Sequence, residues 1–230
     1  MLPAYGARRA EVGDSADECT YASFIILARG GRRHMDEFIG GGIRFILMNF
    51  TATFTAAGII IALVLIAIRR AGRHESFVTL LNWFLLVGIG ITYIYNGIMH
   101  TVFGELSAQL IGWEDNGFQA EVGYASLGMG LVGIFASLKR MPFSTKFAGL
   151  IVPTCFLWGA AATHIADIIE TGNLASHNAG TVLYTDIFIP ILGLALWILS
   201  YLTRAREVLP SEGFTPHSAI AGGRPADRNL

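Results

Sequence analysis

The chain has little charge and almost no cysteine. Of its 230 residues only 14% are charged, and Cys19 and Cys155 are the two cysteines, Cys155 in the middle of an apolar run. That spacing excludes a disulfide framework and a thiolate metal site. Lys and Arg are missing from the whole of 75–137 and again from 147–203. No basic patch exceeds what membrane topology requires, so nucleic acid is not an expected partner.

What is present in quantity is apolar. The sequence is 53% hydrophobic with a mean hydropathy of +0.54, outside the range of ordinary soluble domains. Five stretches are long enough for a hydrocarbon core of about 30 Å, which takes roughly 20 helical residues. They fall near Ile43–Ile68, Phe77–Met99, Phe118–Leu138, Phe147–Ile169 and Val182–Leu202. In lipid each stretch must satisfy its own backbone groups, so the expected fold class is all-α, an integral membrane bundle of about five helices. The lipid bilayer is its expected partner.

The basic residues cluster at three places. Arg69, Arg70 and Arg73 follow the first stretch, Lys139, Arg140 and Lys146 separate the third from the fourth, and Arg204 and Arg206 follow the fifth. The positive-inside rule makes these segments cytoplasmic and places the N-terminus outside and the C-terminus inside, in the plasma (inner) membrane. Arg29, Arg32, Arg33 and Arg44 stand against this rule at the N-terminus. Residues 1–34 mix both charges around one short apolar run, and Met35-Asp36-Glu37 makes an alternative start just before the first span. The expected organisation is a weakly ordered extension over 1–34, a transmembrane domain over 35–205 and a disordered cytoplasmic tail over 206–230.

Acidic residues follow the opposite pattern. Glu105, Glu114, Asp115, Glu121, Asp167, Glu170 and Asp186 all fall at the opposite end of the expected bundle from the basic segments. Tyr93, Asn96 and His100 share one helical face, as do His164 and Asp167. Ionisable groups at membrane depth are costly and generally face the interior with a partner. His100, Glu121, His164, Asp167 and Asp186 come from four helices at about one depth, and they make a ligand set suited to Zn, Mn, Fe or haem. Two other readings stand beside the metal one. The same residues suit a hydrogen-bonded layer that sets helix register, or a proton, ion or small-solute pathway. A non-catalytic subunit of a larger complex, or a homo-oligomer, is also compatible, and nothing in the sequence decides whether the protein is an enzyme.

Three further patterns bear on packing. Thr101–Trp113 has the spacing of a short amphipathic helix at the interface, with Trp113 at headgroup level, either a plain connector or a lid. Gly128-Met129-Gly130-Leu131-Val132-Gly133 matches G-x-G-x-x-G, but no strand precedes it and no acidic residue follows at the required distance, so it is no dinucleotide fingerprint. Gly123, Ser126, Gly130, Gly133 and Ser137 instead form a small-residue stripe that admits a neighbouring helix and makes the third span central. Asn49, Thr51, Thr53 and Thr55 are expected to form interhelical hydrogen bonds.

Ile111-Gly112-Trp113 followed by Phe118-Gln119-x-Glu121-x-Gly123-x-Ala125-x-Leu127, and later Gly172-Asn173, Asn178-Ala179-Gly180, Asp186 and Pro190, resembles a family of small bacterial and archaeal membrane proteins of unknown function. The resemblance covers roughly 35–205 and implies a multi-pass membrane protein. Asn116-Gly117 stands where the pattern has Ser-Pro, and no activity follows from the likeness.

Overall fold

The structure is a computed structural model, and it describes residues 40–208. The expected extension over 1–34 and all but the first residues of the expected tail lie outside the described residues. The chain divides between Thr53 and Phe54 into two compact units. In the first, 40–48 is helical and ends at a turn at Asn49. There the backbone N–H and the side-chain amide of Asn49 both donate to the Phe45 carbonyl, at 3.0 and 2.9 Å. The Thr53 N–H donates in turn to the Asn49 carbonyl at 2.9 Å, so helical bonding resumes directly into the membrane-length helix that begins at Phe50.

Six helices then follow: α1 (Phe50–Arg69), α2 (Arg73–Val102), α3 (Gly104–Ile111), α4 (Phe118–Ser137), α5 (Phe143–Thr171) and α6 (Thr181–Val208). No strand occurs among the described residues. Five of these helices, all but α3, are long and apolar enough to cross a membrane. Their surfaces fit that environment, since Ile60, Leu131, Phe135, Ile169 and Phe188 are all exposed.

The core lies among α2, α4, α5 and α6, where Leu81, Phe84, Leu85, Ile89, Tyr93, Met129, Leu150, Leu157, Ile189 and Leu196 are buried together. The α2–α4 pair is the most intimate. The small-residue stripe is the reason: a Cβ on Gly130 would stand 2.9 Å from the Gly90 carbonyl oxygen, and one on Gly133 3.0 Å from the Gly90 nitrogen. Backbone meets backbone here, as the stripe predicts. The same contact divides the G-x-G-x-x-G letters between two faces, because Gly128 has nothing within 4 Å of its Cβ position.

Three of the packed helices are irregular. Phe84–Ile91 of α2 is a π-helix, and the Val87 carbonyl accepts both the Thr92 backbone N–H, in the wider i→i−5 turn, and the Thr92 hydroxyl at 2.9 Å. Pro153 and Pro190 interrupt α5 and α6, and the Trp158 indole N–H reaches across from α5 to the Ile187 carbonyl of α6 at 3.4 Å. Phe84, Ile89, Pro153 and Pro190 line one common packing gap.

Of the four residues of the first span expected to bond between helices, Asn49 and Thr55 do otherwise among the described residues. Asn49 bonds within its own turn, and the Thr55 hydroxyl is buried without a partner. Lys146 is a second departure. It sits not in a solvated loop but in the first turns of α5 at 2% exposure.

Candidate functional site

The candidate site lies at the acidic end of the bundle, where the connections α3–α4 and α5–α6 meet. α3 ends at Gly112, whose φ of 83° turns the chain so that Trp113 points back at α5. A Cβ on Gly112 would clash with Asn173 at 2.8 Å, so glycine is needed here for both reasons. α5 ends at Gly172, with φ 72°, and leads into Asn173 and Asn178.

Asp167 is the hub of this end. Its Oδ2 accepts from Trp113 Nε1 at 2.9 Å, Asn173 Nδ2 at 2.8 Å and Asn178 Nδ2 at 3.0 Å, and its Oδ1 accepts from the Thr171 hydroxyl at 3.1 Å. Asn173 Nδ2 also donates to the Ile111 carbonyl at 3.0 Å, and the His177 N–H to that of Leu110 at 3.2 Å. The two connections are thus tied to one carboxylate.

Asn178, at 0% exposure, carries this order inward. Its Nδ2 is committed to Asp167 and to the Asn173 carbonyl, which leaves Oδ1 as acceptor for His164 at 2.6 Å. His164 Nδ1 must therefore bear the hydrogen, and Nε2 is left with its lone pair when the ring is neutral. Nε2 faces Asp186 Oδ2 at 3.8 Å, beyond hydrogen-bond range. The Trp113 ring stacks on His164 with centroids 5.6 Å apart and covers it.

Asp186 is 4% exposed and forms no hydrogen bond among the described residues beyond that approach. On α2 the Tyr93 hydroxyl is buried without a partner. Two helices therefore bring His164 Nε2 and a nearly buried carboxylate together with unused hydrogen-bonding capacity. A nearly buried carboxylate in that state is expensive unless a proton or a cation neutralises it.

Of the five residues expected to converge, the structure brings His164, Asp167 and Asp186 into one network. His100 is held by Gln119 Oε1 at 2.6 Å, in the α2–α4 seam where Asn96 Nδ2 also donates to Ser126 Oγ at 2.9 Å. Glu121 is exposed. It stands two residues before Gly123, about 200° around α4, so the stripe that packs on α2 turns Glu121 outward. Among the described residues no group of three or more His, Cys, Asp or Glu lies together as a metal would require. Asp167 is already saturated by N–H and O–H donors, and His164 Nδ1 is taken by Asn178.

Sequence reasoning offered Thr101–Trp113 as a connector or a lid, but gave no role to Asn178 as the buried relay or to Gln119 as the partner of His100. The signal was faint but present. An asparagine in a loop of a membrane protein that is wholly buried must be fully hydrogen-bonded, yet burial of a loop residue has no periodicity to reveal it.

No curated protein and no solved structure matches the chain. One family model does, over residues 48–206, which takes in all five membrane-length helices and every residue of the site. The chain belongs to DUF6790, a family of unknown function.

Proposed function

We propose that this protein is a multi-pass pathway protein of the plasma membrane that takes up a proton at the acidic end of its bundle. The observation that carries the reading is the His164–Asp186 pair, buried at 3.8 Å with its remaining capacity unused. A carboxylate and an imidazole so placed can share one proton, which cancels the carboxylate charge whichever of the two holds it, and the π segment and two prolines supply irregular backbone where membrane pathways use it. The arrangement of charge supports a cytoplasmic basic end: Arg69, Arg70, Lys139, Arg140 and Arg204 lie at one end of the helices, and Asp167 and Asp186 lie towards the other.

Reconstitution into liposomes with a trapped pH dye and an imposed potential tests the transport reading. The wild type is expected to pass protons, and Asp186→Asn to reduce the flux about a hundredfold or more, the scale of losing a proton-transferring group. Glu121→Gln, at an exposed position, is expected to leave it unchanged. A wild-type rate equal to that of empty liposomes, or an unaffected Asp186→Asn, would overturn the proposal.

Orientation has its own test. In a background lacking Cys19 and Cys155, an impermeant thiol reagent applied to whole cells is expected to label Asp115→Cys and to spare Arg140→Cys. Labelling confined to Arg140→Cys would invert the topology.

A further inference from the structure

We infer that the basic end of the bundle carries a site for one anionic phospholipid, with the headgroup phosphate on Arg204 and an acyl chain along the aromatic rings that lead away from it. The site lies at the other end of the helices from the His164–Asp186 pair and does not depend on the proton reading.

Two helices gather on the Phe143 ring at the start of α5. The Arg204 guanidinium of α6 lies over that ring with Cζ 5.6 Å from its centroid, the Tyr201 ring of α6 meets it edge-on at 6.1 Å, and the His74 ring of α2 stands 6.4 Å away. His74 Nδ1 pairs with the Thr203 hydroxyl at 3.1 Å, and Trp197 Nε1 donates to the Phe143 carbonyl at 2.9 Å. The ring and its surroundings are therefore fixed by hydrogen bonds as well as by packing.

This end has more cations than it can pair. Arg204 is exposed, and none of its N–H bonds meets an acceptor among the described residues, so the aromatic face beneath positions the guanidinium without neutralising it. Arg73, next to His74, is exposed as well, and Lys139 and Arg140 lie just before α5. Glu75 is the one acidic residue among the described turns here. An anion with several oxygens, such as a phosphate, satisfies a guanidinium so presented.

Charge alone would suit any phosphate, and the rings select a lipid. Phe143 and Phe147 on α5 are four residues apart, as are Tyr201 and Trp197 on α6, so each pair runs along one face of its helix away from the charged end. Tyr201 stacks on Trp197 at 5.6 Å and Phe147 packs on it at 4.9 Å, which joins the two columns. Tyr201 is 51% exposed and Phe147 37%, on helices of membrane length, so their outer faces are open to a hydrocarbon chain. Aromatic rings mark the level of the headgroups, and basic surfaces between helices take anionic ones. A zwitterionic lipid would bring its own ammonium group to a surface that is already positive.

The test titrates the full chain, stripped of lipid in neutral detergent, with phosphatidylglycerol or phosphatidylcholine carrying brominated acyl chains, which quench an indole in contact. Phosphatidylglycerol is expected to quench saturably, about tenfold more tightly than phosphatidylcholine, the scale of one or two cations at a lipid surface. Arg204→Gln, at an exposed position, is expected to weaken it about fivefold. Phe143→Leu removes the ring under Arg204 but no charge, and is expected to weaken it about two- to fivefold. Trp197→Phe removes the indole beside the chain and is expected to lose most of the quenching. Equal affinity for the two lipids, Arg204→Gln or Phe143→Leu binding like the wild type, or full quenching in Trp197→Phe would each overturn the inference. Displacement of the lipid by millimolar inorganic phosphate would show an anion site without a chain groove and would overturn the lipid assignment.

Discussion

Gly130→Leu is expected to abolish the folded bundle, whereas Gly128→Leu, two residues away on the same helix, is expected to leave it intact. A Cβ at Gly130 would lie 2.9 Å from the Gly90 carbonyl oxygen, from Ile94 N and from Ile94 Cγ1. Two of those three atoms are backbone and cannot swing aside. The helices would have to separate along a seam that also holds Gly90 against Ile134 and Gly97 against Leu127. Overpacking of one or two methylenes costs about 1–3 kcal/mol in a core that can adjust, and a leucine against rigid backbone exceeds that. In a membrane no hydrophobic drive between helices compensates, because lipid solvates the separated faces as well as the partner does. At Gly128 nothing lies within 4 Å, so an added leucine meets lipid. Size-exclusion profiles in detergent after a heat ramp separate the two outcomes. A Gly130→Leu protein as monodisperse and heat-resistant as Gly128→Leu would show that the α2–α4 seam does not hold the bundle.

That pair of glycines also shows where the sequence was informative. Length and hydropathy found all five spans, since a hydrocarbon core demands about 20 apolar residues whatever their packing. The stripe Gly123, Ser126, Gly130 and Gly133 located the central helix, because only small side chains permit backbone approach. Applied one step further, the same helical geometry places Glu121 on the outer face, since whatever lies 200° from the stripe cannot also face inward. The π segment Phe84–Ile91 had no such signature. Its residues FLLVGIGI are apolar on every side, so a change of helical period leaves no trace in the pattern.

The site was legible only in part. His164 and Asp167 share a face of one helix, and the structure joins them, but through Asn178 and Trp113, which lie in connections where no periodicity operates. Convergence of His164 with Asp186 depends on how α5 and α6 rotate about their axes, which apolar spacing does not fix. His100 paired with Gln119 because α4 supplied an amide at the right height, so a residue that resembled a ligand became part of a seam.

Lys146 yields the second large effect, at the opposite end of the molecule. Lys146→Met is expected to lower the apparent Tm in detergent by on the order of 10 °C, the shift that about 3 kcal/mol produces in a chain of this size. Read from the sequence, this lysine is one of three basic residues in a loop. Pro142, in extended conformation before α5, starts the helix early enough to place Lys146 in its first turns, facing the end of α4. There its ammonium donates to Asn82 Oδ1 at 2.7 Å, to the Ala136 carbonyl at 2.9 Å and to the Leu138 carbonyl at 3.0 Å. All three N–H bonds are used, which is what permits a charge at 2% exposure. Two of the acceptors are carbonyls at the C-terminus of α4, where the helix has no donors of its own and its dipole favours a cation. The ammonium thus joins α2, α4 and α5 at the basic end. Methionine fills nearly the same volume, so the substitution removes the donors without opening a cavity. It strands Asn82 Oδ1 and two carbonyls, each costing about 1–3 kcal/mol when buried and unpaired. Adding Asn82→Leu to Lys146→Met removes one stranded acceptor and is expected to recover part of the loss, which a role for Lys146 as a topology signal alone would not predict. Unchanged heat resistance in Lys146→Met would mean that water replaces the ammonium at this end, and that the three helices are held by their apolar contacts.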